Sequence, residues 1–394
     1  MKIKLSLLFI FFCSLASAQS YKKIHRKALL ADTHNDILSK VVETGVAMDS
    51  DLTGRTHSDL ARWKKGGLDL QLFSVWSDGD RAHPFSYAMR QMDSLDAVIK
   101  RNPTLIAKAA NSKEIYQITR RHKIAAMFGI EGGHQIEDNL ANIDSLYKRG
   151  ARYITLTWNN STSWASSAAD ETGNKPGIHK GLNDFGKQVV HKMNSLGMLV
   201  DISHVGEQTF WDVISTTTKP IIASHSSVYN ICPHRRNLKD EQIKAIAKNG
   251  GVIQINFYPL FIDSTAERKF SQFLKLHAPE MDSMKKAGLT DWIAGELLFS
   301  KYKNELQAIR PPLSLLIQHI EYVIKLVGID YVGLGSDFDG IEFTPRELDD
   351  VTAYPQITKA LLQKGYSKKD IRKILGGNFL RVLKANEGRG ENYE

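Results

Sequence analysis

Six residues of this chain bind metal ions or move protons by their chemistry and share a common placement: His34, Asp36, Glu131, His204, His225 and Asp337. The first two form a His-x-Asp pair within Ala31-Asp32-Thr33-His34-Asn35-Asp36, just after the short apolar run 28–30. On an extended backbone, residues i and i+2 point to the same side. An imidazole nitrogen and a carboxylate oxygen can therefore reach one ion together, a donor pair that suits zinc. Taken alone, the pair also fits a turn histidine beside a helix-capping aspartate. The positions of the other four residues bear on which reading holds.

Apolar, β-branched-rich runs recur at 28–33, 68–76, 124–130, 152–157, 198–203, 220–224, 252–257 and 331–336. Between them lie segments with the 3.6-residue period of amphipathic helices: 87–100, 140–148, 183–196, 207–214, 240–248 and 315–327. Strands apolar on both faces suit a parallel sheet covered by helices. Eight such units predict an α/β fold, a (β/α)8 TIM-type barrel with a helical insertion before the last strand. An open doubly wound sheet is the competing arrangement, but no Gly-x-Gly-x-x-Gly turn follows the first strand. His34 and Asp36 follow the first run, Glu131 the third, His204 the fifth, His225 the sixth and Asp337 the eighth. A barrel gathers the carboxyl ends of its strands on one face. Residues far apart in sequence would then meet around one point.

The rhythm breaks once. Residues 262–312 form a charged, helix-prone excursion (270–276 and 293–309) closed by Pro311-Pro312. Such a segment on a barrel's active face serves as a lid, a substrate wall or a homodimer contact, or else as a peripheral helical pair. A final helix is signalled by Ser367-Lys368-Lys369-Asp370, a capping box with Asp in place of Glu.

The first eighteen residues read as a secretory signal peptide: Lys2 and Lys4, an apolar stretch over 5–15, then Ala16-Ser17-Ala18 as the cleavage site. The domain proper is then 19–394, exported to the periplasm or the extracellular space. That apolar stretch is short for a bilayer, and no later segment is apolar enough to predict a transmembrane span. Removal of the leader leaves Cys232 as the single cysteine, so no internal disulfide is expected and stability must come from the core. The net charge of +9 is scattered, with no arginine-rich arm or aromatic stacking platform. A surface of that kind attracts anions and excludes nucleic acid as the expected partner.

Four stretches together resemble the membrane dipeptidase (renal dipeptidase) family of zinc peptidases, within the amidohydrolase-like barrels. They are Asp32-Thr33-His34-Asn35-Asp36; Ile130-Glu131-Gly132-Gly133-His134; Asp201-Ile202-Ser203-His204 with Ser224-His225-Ser226-Ser227; and Gly335-Ser336-Asp337-Phe338-Asp339-Gly340. Further likeness lies in Arg152-Tyr153-Ile154-Thr155-Leu156-Thr157 and in Arg236-Asn237. The excursion over 262–312 is longer than expected for mammalian members.

The resemblance implies two zinc ions (Zn2+) per chain, which together bring a shared water near neutrality in pKa. It makes His34 and Asp36 ligands of one ion and His204 and His225 ligands of the other, with Glu131 bridging both. It implies that Asp337 is the proton shuttle and that Arg236 holds the substrate's C-terminal carboxylate. Arg235 beside it reads as a solvated surface arginine. Asp201 and Asp339 are expected to orient their neighbours, and His134 to be structural. One position departs: Trp158, followed by Asn159 and Asn160, stands where the family usually carries a histidine against the substrate. The expectation is an exported binuclear zinc dipeptidase, with substrate-binding roles for Arg236, Trp158, Asn159 and Asn160. The alternatives are the same centre acting on another small amide or lactam, or a barrel that binds peptide or metal without turnover.

Overall fold

A computed structural model describes residues 21–289 and 291–387; the expected leader over 1–18 lies outside them. The described residues contain nine strands: β1 (Ala31–Asn35), β2 (Leu70–Trp76), β3 (Ile106–Lys108), β4 (Ile124–Glu131), β5 (Ala151–Thr155), β6 (Leu199–Asp201), β7 (Ile222–Ser226), β8 (Val252–Ile255) and β9 (Val332–Leu334). Eight lie side by side in the order β1-β2-β4-β5-β6-β7-β8-β9, each parallel to the next, with helices between them. The barrel is nearly closed. Between β1 and the segment after β9 the ladder is reduced to a single parallel bridge, Asn35 with Phe338.

Two sequence expectations need adjusting. Strand β3 has no counterpart among the eight apolar runs; it is three residues long and pairs with β4 off the barrel path. Strand β1 begins at Ala31, three residues late, and contains His34 rather than ending before it. Asp36 then stands at the N-cap of the helix Ile37–Thr44 but makes no side-chain cap hydrogen bond. A capping role does not account for it.

Alternation along the strands sorts the core into two sets. Phe73, Val75, Ala126, Phe128, Ile154 and Ile253 pack outward among helical side chains such as Leu316 and Ile320. Leu70, Leu72, Met127, Leu199 and Val252 join Phe379, Leu380 and Leu383 of the helix Asn378–Asn386 in a second cluster. Those strand residues lie toward the amino ends of their strands, so the last helix closes the end of the barrel opposite the site. Each such side chain contributes on the order of 1.5–3 kcal/mol by leaving water.

The excursion is helical, as expected: Ala266–Lys286, Asp291–Lys301 and Lys303–Gln307. Phe270, Phe273, Leu298, Leu306 and Ile309 form a small core of their own around Phe343, which follows β9. Phe343 also meets Tyr258, just after β8 (ring centroids 6.0 Å apart). Arg310 pins the exit, donating to the Thr344 carbonyl (2.6 Å) and to Asp349 (2.6 Å). The excursion therefore rests on the loops at the carboxyl ends of β8 and β9, the end where His34, Glu131 and His225 lie. Among the described residues no helix is long and apolar enough to cross a membrane.

Candidate active site

The two oxygens of Glu131, at the end of β4, face different histidines. Oε2 lies 3.1 Å from His34 Nε2, while Oε1 lies 2.9 Å from His204 Nε2 and 3.5 Å from His225 Nε2. Asp36 Oδ2 is 3.4 Å from His34 Nε2. The candidate ligand atoms of His34, Glu131 and His225 all fall within 4.8 Å of one another, as do those of His34, Asp36 and Asp337. Residues from β1, β4 and β7 and from the segments after β6 and β9 thus converge on one point.

Hydrogen bonds behind the cluster fix which nitrogen His34 and His225 offer. Tyr153 donates its hydroxyl to the Thr33 carbonyl (3.0 Å), so its oxygen accepts from His34 Nδ1 (2.8 Å) and Nε2 faces the centre. Ser224 repeats the pattern for His225, donating to Asp201 Oδ2 (2.5 Å) and accepting from Nδ1 (2.8 Å). Such partners set ring orientation and tautomer at metal sites. Asp201 is a hub: it also accepts from the Thr155 hydroxyl (2.5 Å) and the amides of Ser203 and Ser224 (3.1 and 2.8 Å). Asp32 plays the same part at the barrel seam, accepting the Ser336 amide (2.8 Å), the Ser336 hydroxyl (2.6 Å) and the Tyr354 hydroxyl (2.5 Å).

The electrostatics ask for a cation. Burial, then the charge of Arg236, pushes His204 down to about 3; burial, then His34, holds His225 well below the ordinary imidazole range. Both rings are neutral and free to act as ligands. Burial opposes charge on Glu131, yet His34, His204 and His225 hold it well below the usual carboxylate range. Burial likewise opposes a proton on His34, but Tyr153, Glu131 and Asp36 together raise it well above its ordinary value. That proton does what a bound cation would do. Asp36 Oδ2 and His225 Nε2 are buried with no hydrogen-bond partner. Leaving such groups unpaired costs about 1–3 kcal/mol each, a cost that a shared cation would remove. The residues present fit a metal centre.

Asp337 is half-buried, with Oδ2 accepting from Asn256 Nδ2 (2.8 Å). Burial and the charges of Asp36 and Glu131 raise its carboxyl well above the usual range, although His34 counteracts them. His204 (φ 66°) and Asp337 (φ 63°) both sit in the left-handed region, a strain of order 1–3 kcal/mol each that tends to cluster at working sites. Arg236, 5% exposed, donates through one terminal nitrogen to the His225 carbonyl (3.2 Å); its Nε is buried without a partner. Asp339 accepts the His57 amide (2.6 Å) and the Ser58 hydroxyl, holding the neighbouring loop. His134 turns to Ser77 (3.0 Å).

Trp158 is half-buried, its ring 6.4 Å from that of His204 and edge-on to Trp76 at 5.2 Å. Asn159 is exposed. Asn160 packs so closely on Gly79 that a Cβ there would meet its side chain at 2.1 Å.

Sequence reasoning finds Tyr153 and Gly340 only as parts of motifs and passes over Asn256. A polar residue at the carboxyl end of a run is the available signal for Asn256. Gly340 matters by its missing side chain: a Cβ would meet Asp36 Oδ2 at 2.3 Å and Asp337 Oδ1 at 2.8 Å. Gly340→Ala is expected to lower kcat by roughly 10²-fold, as small misplacements of reacting groups do, with the folded state's circular dichroism unchanged. Unchanged kcat would show that the carboxylates need no such clearance.

A profile of the membrane dipeptidase family (Peptidase family M19) matches residues 18–393. The chain belongs to this family. It is a metallopeptidase of the membrane dipeptidase type. A relative described as an uncharacterized dipeptidase of Schizosaccharomyces pombe is 32% identical over 390 residues, covering 94% of this chain and 83% of the relative. Among solved structures, the probable dipeptidase PvdM from Pseudomonas aeruginosa superposes with a TM-score of 0.78 at 24% identity, over 94% of this chain and 98% of that one. A metallopeptidase from Rhodobacter sphaeroides, liganded with a phosphinate mimic of the dipeptide L-Ala-D-Ala, has a TM-score of 0.73 at 20% identity, over 91% and 99% of the two chains. At these identities the two structures speak for the fold the family shares.

Proposed function

We propose that this protein is an exported dipeptidase that uses two zinc ions to hydrolyse the amide bond of small dipeptides with a free C-terminal carboxylate. One observation carries the reading: the oxygens of Glu131 are divided between His34 on one side and His204 with His225 on the other. A carboxylate so placed can serve two ions, the first completed by His34 and Asp36, the second by His204 and His225. When bound, the zinc pair lowers the pKa of the attacking water and polarises the scissile carbonyl.

The remaining work falls to the chain itself. Arg236 offers Nε, unpaired and buried, to the substrate carboxylate, while its bond to the His225 carbonyl ties that anchor to a ligand strand. Asp337, steered by Asn256, accepts the proton of the attacking water and passes it to the amine as the carbon–nitrogen bond breaks. Two free amino acids leave. Residues 1–18 direct export and are removed.

Purified protein assayed over a panel of L- and D-dipeptides, with elemental analysis alongside, tests the reading. Two zincs per chain and hydrolysis are expected. One zinc in fully active protein would refute the binuclear centre, and zinc-loaded protein inert on the whole panel would refute the dipeptidase.

Trp158 and Trp76 form an aromatic wall beside His204. An indole fills space that an imidazole would leave open, so the wall narrows the choice of substrate side chain. Trp158→His should broaden the range of dipeptides cleaved, read as kcat/KM across the same panel. An identical profile would place the loop away from the substrate.

A further inference from the structure

Beside the metal cluster a cavity of about 340 Å³ opens between the segments that follow β5, β6 and β7, with His204 and Arg236 in its lining. Its size is at the small end of pockets that hold small molecules. Four cations line it, Lys180, Arg235, Arg236 and Lys239, against two carboxylates, Glu171 and Glu207. Lys239 is paired with Glu207 at 2.7 Å. Glu171 is spent on the Ser166 hydroxyl (2.5 Å) and the Gln208 amide (3.2 Å). Among the described residues neither Lys180 nor Arg235 makes an ion pair, and the buried Nε of Arg236 has no partner. Lysines and arginines of the lining thus outnumber its carboxylates by two. The α-carboxylate of a dipeptide answers one of them, at Arg236. The second has no carboxylate of the lining left to balance it.

We infer that this cavity selects dipeptides whose C-terminal residue bears its own carboxylate side chain, held at the rim by Arg235 and Lys180. The inference rests on the dipeptidase reading and adds the substrate class. A dianionic C-terminal residue matches the lining's excess of two cations, whereas one with an uncharged side chain leaves one of them unmatched. Arg235 suits the task because its fork of donors matches a carboxylate; Lys180 adds a mobile charge. Both are exposed, so replacing either leaves the core untouched.

The test compares Ala-Glu with its isosteric neutral counterpart Ala-Gln and with Ala-Ala, each with the C-terminal residue in L and D form. In the wild-type protein kcat/KM for the preferred Glu isomer should exceed that for Gln by at least about tenfold, chiefly through KM, a difference of about 1.4 kcal/mol. The advantage should shrink as salt is added, because both cations face solvent. In the double variant Arg235→Ala, Lys180→Ala the Glu:Gln ratio should fall toward one. A wild-type ratio near one, or a ratio that survives in the double variant, would overturn the inference while leaving the dipeptidase reading intact. Failure to cleave any of these peptides or others would overturn both.

Discussion

Glu131→Gln should strip the protein of metal and lower turnover by at least about 10³-fold, more than the 10–100-fold typical of residues standing behind the ligands. The carboxamide is isosteric, so the fold has little reason to change. It is neutral, and only one of its ends can accept. The Ser74 hydroxyl, which donates to Oε2 at 3.0 Å, can still be satisfied by the oxygen. The amino group would then point at His204 and His225, where Oε1 now lies 2.9 and 3.5 Å from their nitrogens. A donor in that position repels a cation instead of binding it. Elemental analysis and dipeptide hydrolysis read the two effects separately. Stoichiometric metal together with near wild-type kcat would remove Glu131 from the centre.

Asp337→Asn should behave differently, keeping most of the metal while losing roughly 10²–10⁴ in kcat, the range typical of a lost general base. Asn256 Nδ2 now donates to Asp337 Oδ2, and an amide oxygen can accept in its place, so the loop after β9 should hold its course. What disappears is the ability to take a proton. The limb of the pH–rate profile that reports this group should vanish with it. Wild-type kcat in the variant would make Asp337 structural; loss of metal in proportion to activity would make it a ligand.

Much of this arrangement is legible in the order of the residues alone. Runs apolar on both faces have one economical solution, a parallel sheet covered on its outer face, and ligand-type residues placed after those runs then point to a shared rim. The short edge strand β3 is not legible, because Ile106–Lys108 is too short for alternation to show. The first long helix of the excursion is legible only in part because Pro279 sits inside Ala266–Lys286, and proline is the residue that ordinarily ends a helix. Tyr153 looks like a core aromatic, and it is fully buried. Its role depends on Gly129, where a Cβ would strike the phenol ring at 1.9 Å, a relation between neighbouring strands that one-dimensional patterns do not carry. Arg235 reads as solvated. It is exposed, yet it borders the cavity beside Arg236.

The seam between β9 and β1 has a bearing on how the protein comes to exist. Two backbone hydrogen bonds cross it, Asp337 to His34 (3.1 Å) and Asp36 to Phe338 (2.9 Å), and side chains supply the lacing that a ladder provides elsewhere. Asp32 grips Ser336 across 304 positions of sequence, and Thr33 reaches the Leu334 carbonyl (3.2 Å). The histidine and carboxylates at this point come from the first strand and from the segment after the last. A ribosome must therefore deliver nearly the whole chain before the centre can assemble, and contacts of such long range are the slowest to form. An ion held by His34, Asp36 and Glu131 would fasten the first strand to β4, two places along the sheet, and leave the seam with β9 to close last.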